Sequence, residues 1–102
     1  MKAVTRAFRA LADPTRRQIL QELKAGELSA GQIVSRFPIS GPSISRHLAI
    51  LKAADLVSER REGNRIYYRL ESEQIANSLG DFLSAVCPTQ IAYRRRAKTK
   101  EA

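Results

Sequence analysis

The chain has 102 residues, enough for one domain with one modest core and little room for a deep catalytic cleft. Its apolar content of 43% is that of a globular protein, and 18 Lys and Arg against 10 Asp and Glu leave a formal charge of +8, which suits a polyanionic partner. A single cysteine excludes an intrachain disulfide, no apolar run approaches the roughly 18 residues of a membrane span, and MKAVTRAFRALADP lacks the continuous apolar stretch of a signal peptide. A soluble, cytoplasmic protein is expected.

Val4, Ala7, Phe8 and Leu11 recur at helical spacing and form the stripe of a first helix. Asp13-Pro14 ends it and opens a second, with Asp13 able to cap and Pro14 suited to the first turn. Ile19, Leu20 and Leu23 form that helix's inner face, and Gly26 follows as its stop. Ser29 with Gln32 three residues on is a capping box for a third helix, whose inner face is Ile33, Val34 and Phe37 and which Pro38 closes. Ser40 caps a fourth helix, residues 40–55, with Ile44, Leu48 and Leu51 inward.

The period then changes. Between Val57 and Leu70, Ile66, Tyr68 and Leu70 alternate with Arg65, Tyr67 and Arg69, the mark of a half-buried strand. Gly63-Asn64 supplies a tight turn, so the segment is a β-hairpin, too small to stand without packing on the helices. Ser72 can cap a last helix with the stripe Ile75, Leu79, Phe82, Leu83 and Val86, ending at Cys87-Pro88. The expected fold is mainly α with a β-hairpin, in the order α-α-α-α-β-β-α. The folded unit spans residues 1–88. Residues 89–102 carry five cations against one acid and form a basic, flexible tail; half of the excess charge sits there.

Two short helices joined by a tight turn, then a basic hairpin, make a winged helix-turn-helix, a shape that holds double-stranded DNA. With Ile44, Leu48 and Leu51 inward, Pro42, Ser43, Ser45, Arg46 and His47 fall on the outer side of the fourth helix's first two turns. Small residues there allow close approach to the groove floor, and Arg46 can fork onto a guanine's O6 and N7. Arg60, Arg61, Asn64 and Arg65 near the hairpin tip are placed for the minor groove or flanking phosphates. Arg16 and Arg17 stand at the start of the second helix, where cations oppose the helix dipole; that local conflict points to a role beyond helix stability.

The terminal helices carry apolar stripes with little left to cover, because the central helices and hairpin already close a core. Pairing with a second copy solves this, which makes Val4, Phe8, Leu11, Ile75, Leu79, Phe82, Leu83 and Val86 the expected homodimer interface. Packing on each other within one chain is the other solution.

Three blocks, ALADPTRRQIL, GPSISRHLAILKAADLV and REGNRIYYRL, in this order and spacing, resemble the ArsR-type winged-helix repressors of bacteria. DPTRR followed by ISGPSISRHL is most like their metal-independent autorepressor subgroup. The resemblance covers about residues 3–86. It implies a homodimer, a palindromic operator and repression by blocking a promoter. It also gives Ser43, Ser45, Arg46 and His47 a base-proximal role and Arg61, Asn64 and Arg65 a place on the wing. The family's metal sensors carry thiolates on the third helix or Asp, His and Glu ligands on the last. Here LSAGQIVSRF has no Cys or His and SEQIANSLGDFLSAVC has no His, too few donors for Zn, Cd, As or Cu, so neither a metal nor another cofactor is expected. An enzyme is not expected either, for want of a phosphate loop or a plausible nucleophile–base set. A protein-docking winged helix and a nonspecific architectural DNA binder stay open as alternatives.

Overall fold

The computed structural model describes residues 2–88. Helices α1 (Lys2–Leu11) and α2 (Pro14–Leu23) lead into strand β1 (Leu28–Ser29), then α3 (Ala30–Val34), α4 (Gly41–Ala53), β2 (Val57–Glu62), β3 (Arg65–Leu70) and α5 (Ser72–Val86). This is the expected order with one addition, β1. It pairs antiparallel with β3, Leu28 opposite Tyr68 and Ser29 opposite Tyr67, so the sheet has three strands in the order β1-β3-β2. A two-residue strand has no alternation of its own and exists only through its partner. The expected basic tail lies outside the described residues.

Side chains start the helices much as their sequence suggests. Asp13 Oδ2 accepts from the Arg16 amide at 3.1 Å to open α2. The Ser29–Gln32 capping box is complete, with bonds of 3.1 and 2.8 Å. Ser40 Oγ accepts from the Ser43 amide at 3.3 Å at the head of α4. The end of α4 is equally defined. Asp55 lies in the left-handed region at φ 61, its amide donates to Lys52 O at 2.9 Å, and the Leu56 amide donates to Leu51 O at 3.0 Å. This is a Schellman cap, and both leucines of its apolar contact are fully buried. It turns the chain from α4 straight into β2.

Two boundaries differ from expectation. α3 ends at Val34, because the Arg36 and Phe37 amides turn back to Ile33 O and Val34 O at 3.0 and 3.3 Å. Phe37 still packs against the core. Ser72 is the first helical residue of α5 and does not cap it; the cap position is Glu71, and it makes no side-chain cap bond. The Glu71 amide donates to Leu56 O at 3.0 Å and its carboxylate accepts from Ser58 Oγ at 2.6 Å. That corner is held to the α4–β2 turn before the helix begins.

The hairpin register pairs Val57 with Leu70, Glu59 with Tyr68 and Arg61 with Ile66 on one face, and Ser58 with Arg69, Arg60 with Tyr67 and Glu62 with Arg65 on the other. Tyr68 is buried and Ile66 and Leu70 are half-buried, as the alternation requires. Gly63 takes φ 63 while Asn64 does not have positive φ, the pattern of a II′ turn.

The core joins Ile19, Leu20 and Leu23 of α2, Ile33, then Ile44, Leu48 and Leu51 of α4, with Leu56, Val57 and Tyr68 from the sheet side. The terminal helices contribute little. α1 buries only Ala7 and Ala10, and α5 only Ser78. They lie against each other, Phe8 and Phe82 meeting edge to face with ring centroids 5.0 Å apart. Even so, Phe8 is 40% exposed, Phe82 42% and Val86 63%, while Val4, Leu11, Ile75, Leu79 and Leu83 are half-buried. Both arrangements expected of these stripes thus bear on the fold: the two helices pack on each other, and an apolar face remains open.

Candidate nucleic-acid interface

With Ile44, Leu48 and Leu51 buried, the outward stripe of α4 carries Pro42, Ser45 and Arg46, all exposed, and Ser43, which is half-buried. Ser43 Oγ accepts from Ser40 Oγ at 3.1 Å. The Arg46 guanidinium makes no hydrogen bond or ion pair with the described residues. An exposed cation among small polar side chains on the first two turns is what a groove-entering helix presents. Ile50, 43% exposed, continues this face one turn further. Its spacing of i+4 from Arg46 and i+7 from Ser43 puts it on the same stripe, a signal the sequence carries.

The hairpin arginines separate into two kinds. Arg60 Nη2 meets Glu27 Oε1 at 2.6 Å, its Nη1 meets Glu62, and its guanidinium lies 4.6 Å over the Tyr67 ring. The carboxylates of Glu27 and Glu62 stabilise its charge and raise its pKa, and Arg60 draws the Glu27 carboxyl below its usual range. Arg60 therefore clasps β2 to the segment before β1. Arg61 and Arg65 are exposed, beside Asn64 at the tip, and make no such pair among the described residues. Glu27 was not anticipated; it lies 33 residues from its partner, and no local signal links them. Lys52, on the last turn of α4, reaches Glu59 of β2 at 2.8 Å and ties the helix to the wing.

His47 sits on the flank of α4, its side chain 20% exposed. Arg16 Nη1 lies 3.2 Å from His47 Nδ1. Arginine has no acceptor, so this contact is a hydrogen bond when Nδ1 keeps its lone pair and the ring proton is on Nε2. The structure thus brings Arg46, Ser43 and Ser45 together on one face and sets His47 to the side, against α2. Arg16 and Arg17 also explain the charge conflict at the start of α2. Arg16 donates to Ala10 O and Arg9 O at 2.7 and 3.0 Å, and Arg17 donates to Leu11 O at 2.7 Å. They satisfy the last carbonyls of α1, where cations are favourable.

An open cleft of about 460 Å³ lies between the start of α3 and the wing tip, lined by Ser29, Gln32, Asn64, Arg65 and Ile66 among others. Ser29 and Gln32 are already engaged in the capping box, so the walls hold one cation and no nucleophile with a base. No group of three His, Cys, Asp or Glu side chains among the described residues is placed to hold a metal ion.

Residues 11–60, which span the helix-turn-helix and reach into the first arm of the wing, match the family described as a helix-turn-helix domain. The transcriptional repressor SdpR of Bacillus subtilis is 47% identical over 79 residues, 78% of this chain and 88% of that protein. The chain belongs to the ArsR-type family of winged-helix transcriptional regulators. The regulator CmtR of Mycobacterium tuberculosis is 35% identical over 103 residues, covering 98% of this chain and 87% of its own. An ArsR-like transcriptional regulator from Rhodococcus sp. RHA1 superposes with a TM-score of 0.74 at 31% identity, over 98% of this chain and 92% of that one. Membership makes the protein a DNA-binding transcription regulator and not an enzyme, and no helix among the described residues is long and apolar enough to cross a membrane.

Proposed function

We propose that the protein is a cytoplasmic homodimeric repressor that reads a palindromic operator and needs no metal to do so. The observation that carries the reading is Arg46, unpaired among the described residues, on the outward face of α4, flanked by Pro42, Ser43 and Ser45 and backed by a wing whose tip presents Arg61, Asn64 and Arg65. In this arrangement α4 enters the major groove and its small side chains allow Arg46 to reach a guanine edge. The wing tip lies over the minor groove or the adjoining phosphates, and Arg60 holds the wing in place.

The open apolar face of α1 and α5 supports the dimer. Phe8, Phe82 and Val86 form an exposed apolar patch that a second copy would cover, and a two-fold axis would convert one reading helix into two half-site readers. The donor set supports metal independence. The one His is engaged by Arg16 on α4's flank, and the one Cys follows the end of α5.

Selection of binding sites from random duplex DNA tests this directly. A two-fold symmetric consensus, unchanged by a chelator, is expected. Enrichment of no sequence would make the protein an architectural binder, and absence of DNA binding would make the face of α4 a protein-docking surface. One tight zinc site per subunit or per dimer in a calorimetric titration would remove the metal-independent part.

A further inference from the structure

We propose that Arg16 and His47 are positioning residues that lock the reading helix to the end of α1 and so set the half-site spacing the dimer accepts. The inference rests on the dimeric, palindromic reading above and deepens it. Three nitrogens of one guanidinium each hold a different group. Nε and Nη2 take the Ala10 and Arg9 carbonyls at the end of α1, at 2.7 and 3.0 Å, and Nη1 takes His47 Nδ1 on the second turn of α4, at 3.2 Å. The backbone that carries this fork is itself fixed, because the Arg16 amide is the one that Asp13 caps. A guanidinium is planar, so its donors diverge at set angles and the two helices are held in a set relation; an ammonium imposes none.

The apolar contacts at this joint do not supply the same constraint. α1 faces the core there with Ala7 and Ala10, both fully buried and without side-chain atoms beyond Cβ, and with the half-buried Leu11. Alanines permit close approach but interlock little. α1 also carries Phe8, part of the open face proposed to meet a second copy. A mechanical path therefore runs from the dimer contact through α1, Arg16 and His47 to α4. The distance and angle between the two reading helices depend on that joint.

The joint has a protonation condition. Nδ1 must keep its lone pair to accept from Arg16. Asp13 Oδ2 lies 3.9 Å from the same Nδ1. A proton on Nδ1 turns the acceptor into a donor, repels Arg16 and makes Asp13 the better partner. The two contacts cannot both use Nδ1 fully. The charged groups on the elements around His47 are Asp13 and Arg16 of α2, Arg9 on the last turn of α1 and Arg46 on its own helix. Arg36, after α3, is paired with Glu22, and Lys52 with Glu59 where β2 packs on α4.

The test uses the full chain and the selected palindrome, with the spacer between half-sites shortened or lengthened by one base pair, at about pH 8 and in mild acid. Wild type at the higher pH should prefer its own spacer, and that preference should shrink in acid. Arg16→Lys and His47→Ala should lose roughly tenfold in affinity on the native spacer and less on the altered ones, with the base preference inside each half-site unchanged. His47→Asn places an acceptor, Oδ1, at the position of Nδ1 and cannot be protonated there; it should restore the spacer preference and remove its dependence on acid. The wild-type protein offers a check independent of any variant's folding: ¹⁵N spectra of the imidazole should show the Nε2–H tautomer at the higher pH. Spacer preference unaltered in the variants, a changed base preference in His47→Ala, or an Nδ1–H tautomer would each overturn the proposal. A wild-type protein that selects a sequence without two-fold symmetry would instead remove the dimeric reading and this inference with it.

Discussion

The central helices and the terminal helices carry stripes of similar composition and meet opposite fates. In α2 and α4 every stripe residue is buried, and the ends are sealed by Asp13, Ser40 and the Asp55 turn. In α1 and α5 the stripes touch each other but stay half open, with Phe8 against Phe82 at their junction. The difference teaches that periodicity alone marks a surface that wants cover, not where the cover comes from. The central unit finds it within the chain; the terminal pair has apolar area left for another.

The sharpest way to break this comparison is to wound both regions. Ile44→Ala removes a fully buried side chain and should cost about 2–5 kcal/mol in urea or thermal unfolding. Phe82→Glu should do little to a single subunit's fold, because that ring is already part exposed, yet it should convert the dimer to monomer in sedimentation at micromolar concentration by placing an unpaired charge in the interface. If the native protein already sediments as a monomer there, the open face has another purpose. The third test divides the reading surface itself. Arg46→Ala should cost about 1–3 kcal/mol at one base position per half-site and relax preference there. Arg65→Ala, at the wing tip, should weaken cognate and random duplexes alike and make the salt slope shallower by roughly one unit per subunit. Reversed outcomes would exchange the roles of helix and wing.

Much of this was legible beforehand, and what was not has a common cause. Caps are local, so Asp13, Ser29–Gln32 and Ser40 could be read from neighbours three residues apart. The hairpin followed from alternation and Gly63-Asn64. β1 was missed because Leu28–Ser29 is defined by Tyr67 and Tyr68, some 40 residues on. Arg60 reads as one more groove arginine because Glu27, which engages it, lies 33 residues away. His47 was placed with the outward group on angle alone. On α4 it lies at the border between faces, and only Arg16 decides which way the ring is used.

Smaller effects sharpen the contrast from the electrostatic side. Arg60 holds the Glu27 carboxyl, Lys52 the Glu59 carboxyl and the Ser58 hydroxyl the Glu71 carboxyl below their usual range. Groups with a depressed native pKa contribute stability that is present above the ordinary carboxylate range and is lost as pH falls through the native values. Unfolding midpoints should therefore drop in acid below about pH 4.5, and Lys52→Ala should flatten part of that dependence. These pairs are solvent-accessible, so the drop should be modest. Smallest of all, Asp55→Gly should raise stability by about 0.5–1 kcal/mol, since glycine takes the left-handed turn without strain.

That same turn has a consequence for the DNA. Asp55 and Leu56 close the end of α4 onto Leu51 and Lys52, Lys52 grips Glu59, and Arg60 fastens the wing to Glu27. These contacts join helix and wing into one jaw, with a closed turn between the tooth for the wide groove and the tooth for the narrow one. Under the proposed function, accommodation falls to the double helix. Base pairs lying between the two teeth, touched by neither, should still influence affinity through how readily they twist and narrow. An operator for such a jaw is chosen partly by its pliancy, and substitutions at its silent positions are where that choice would show.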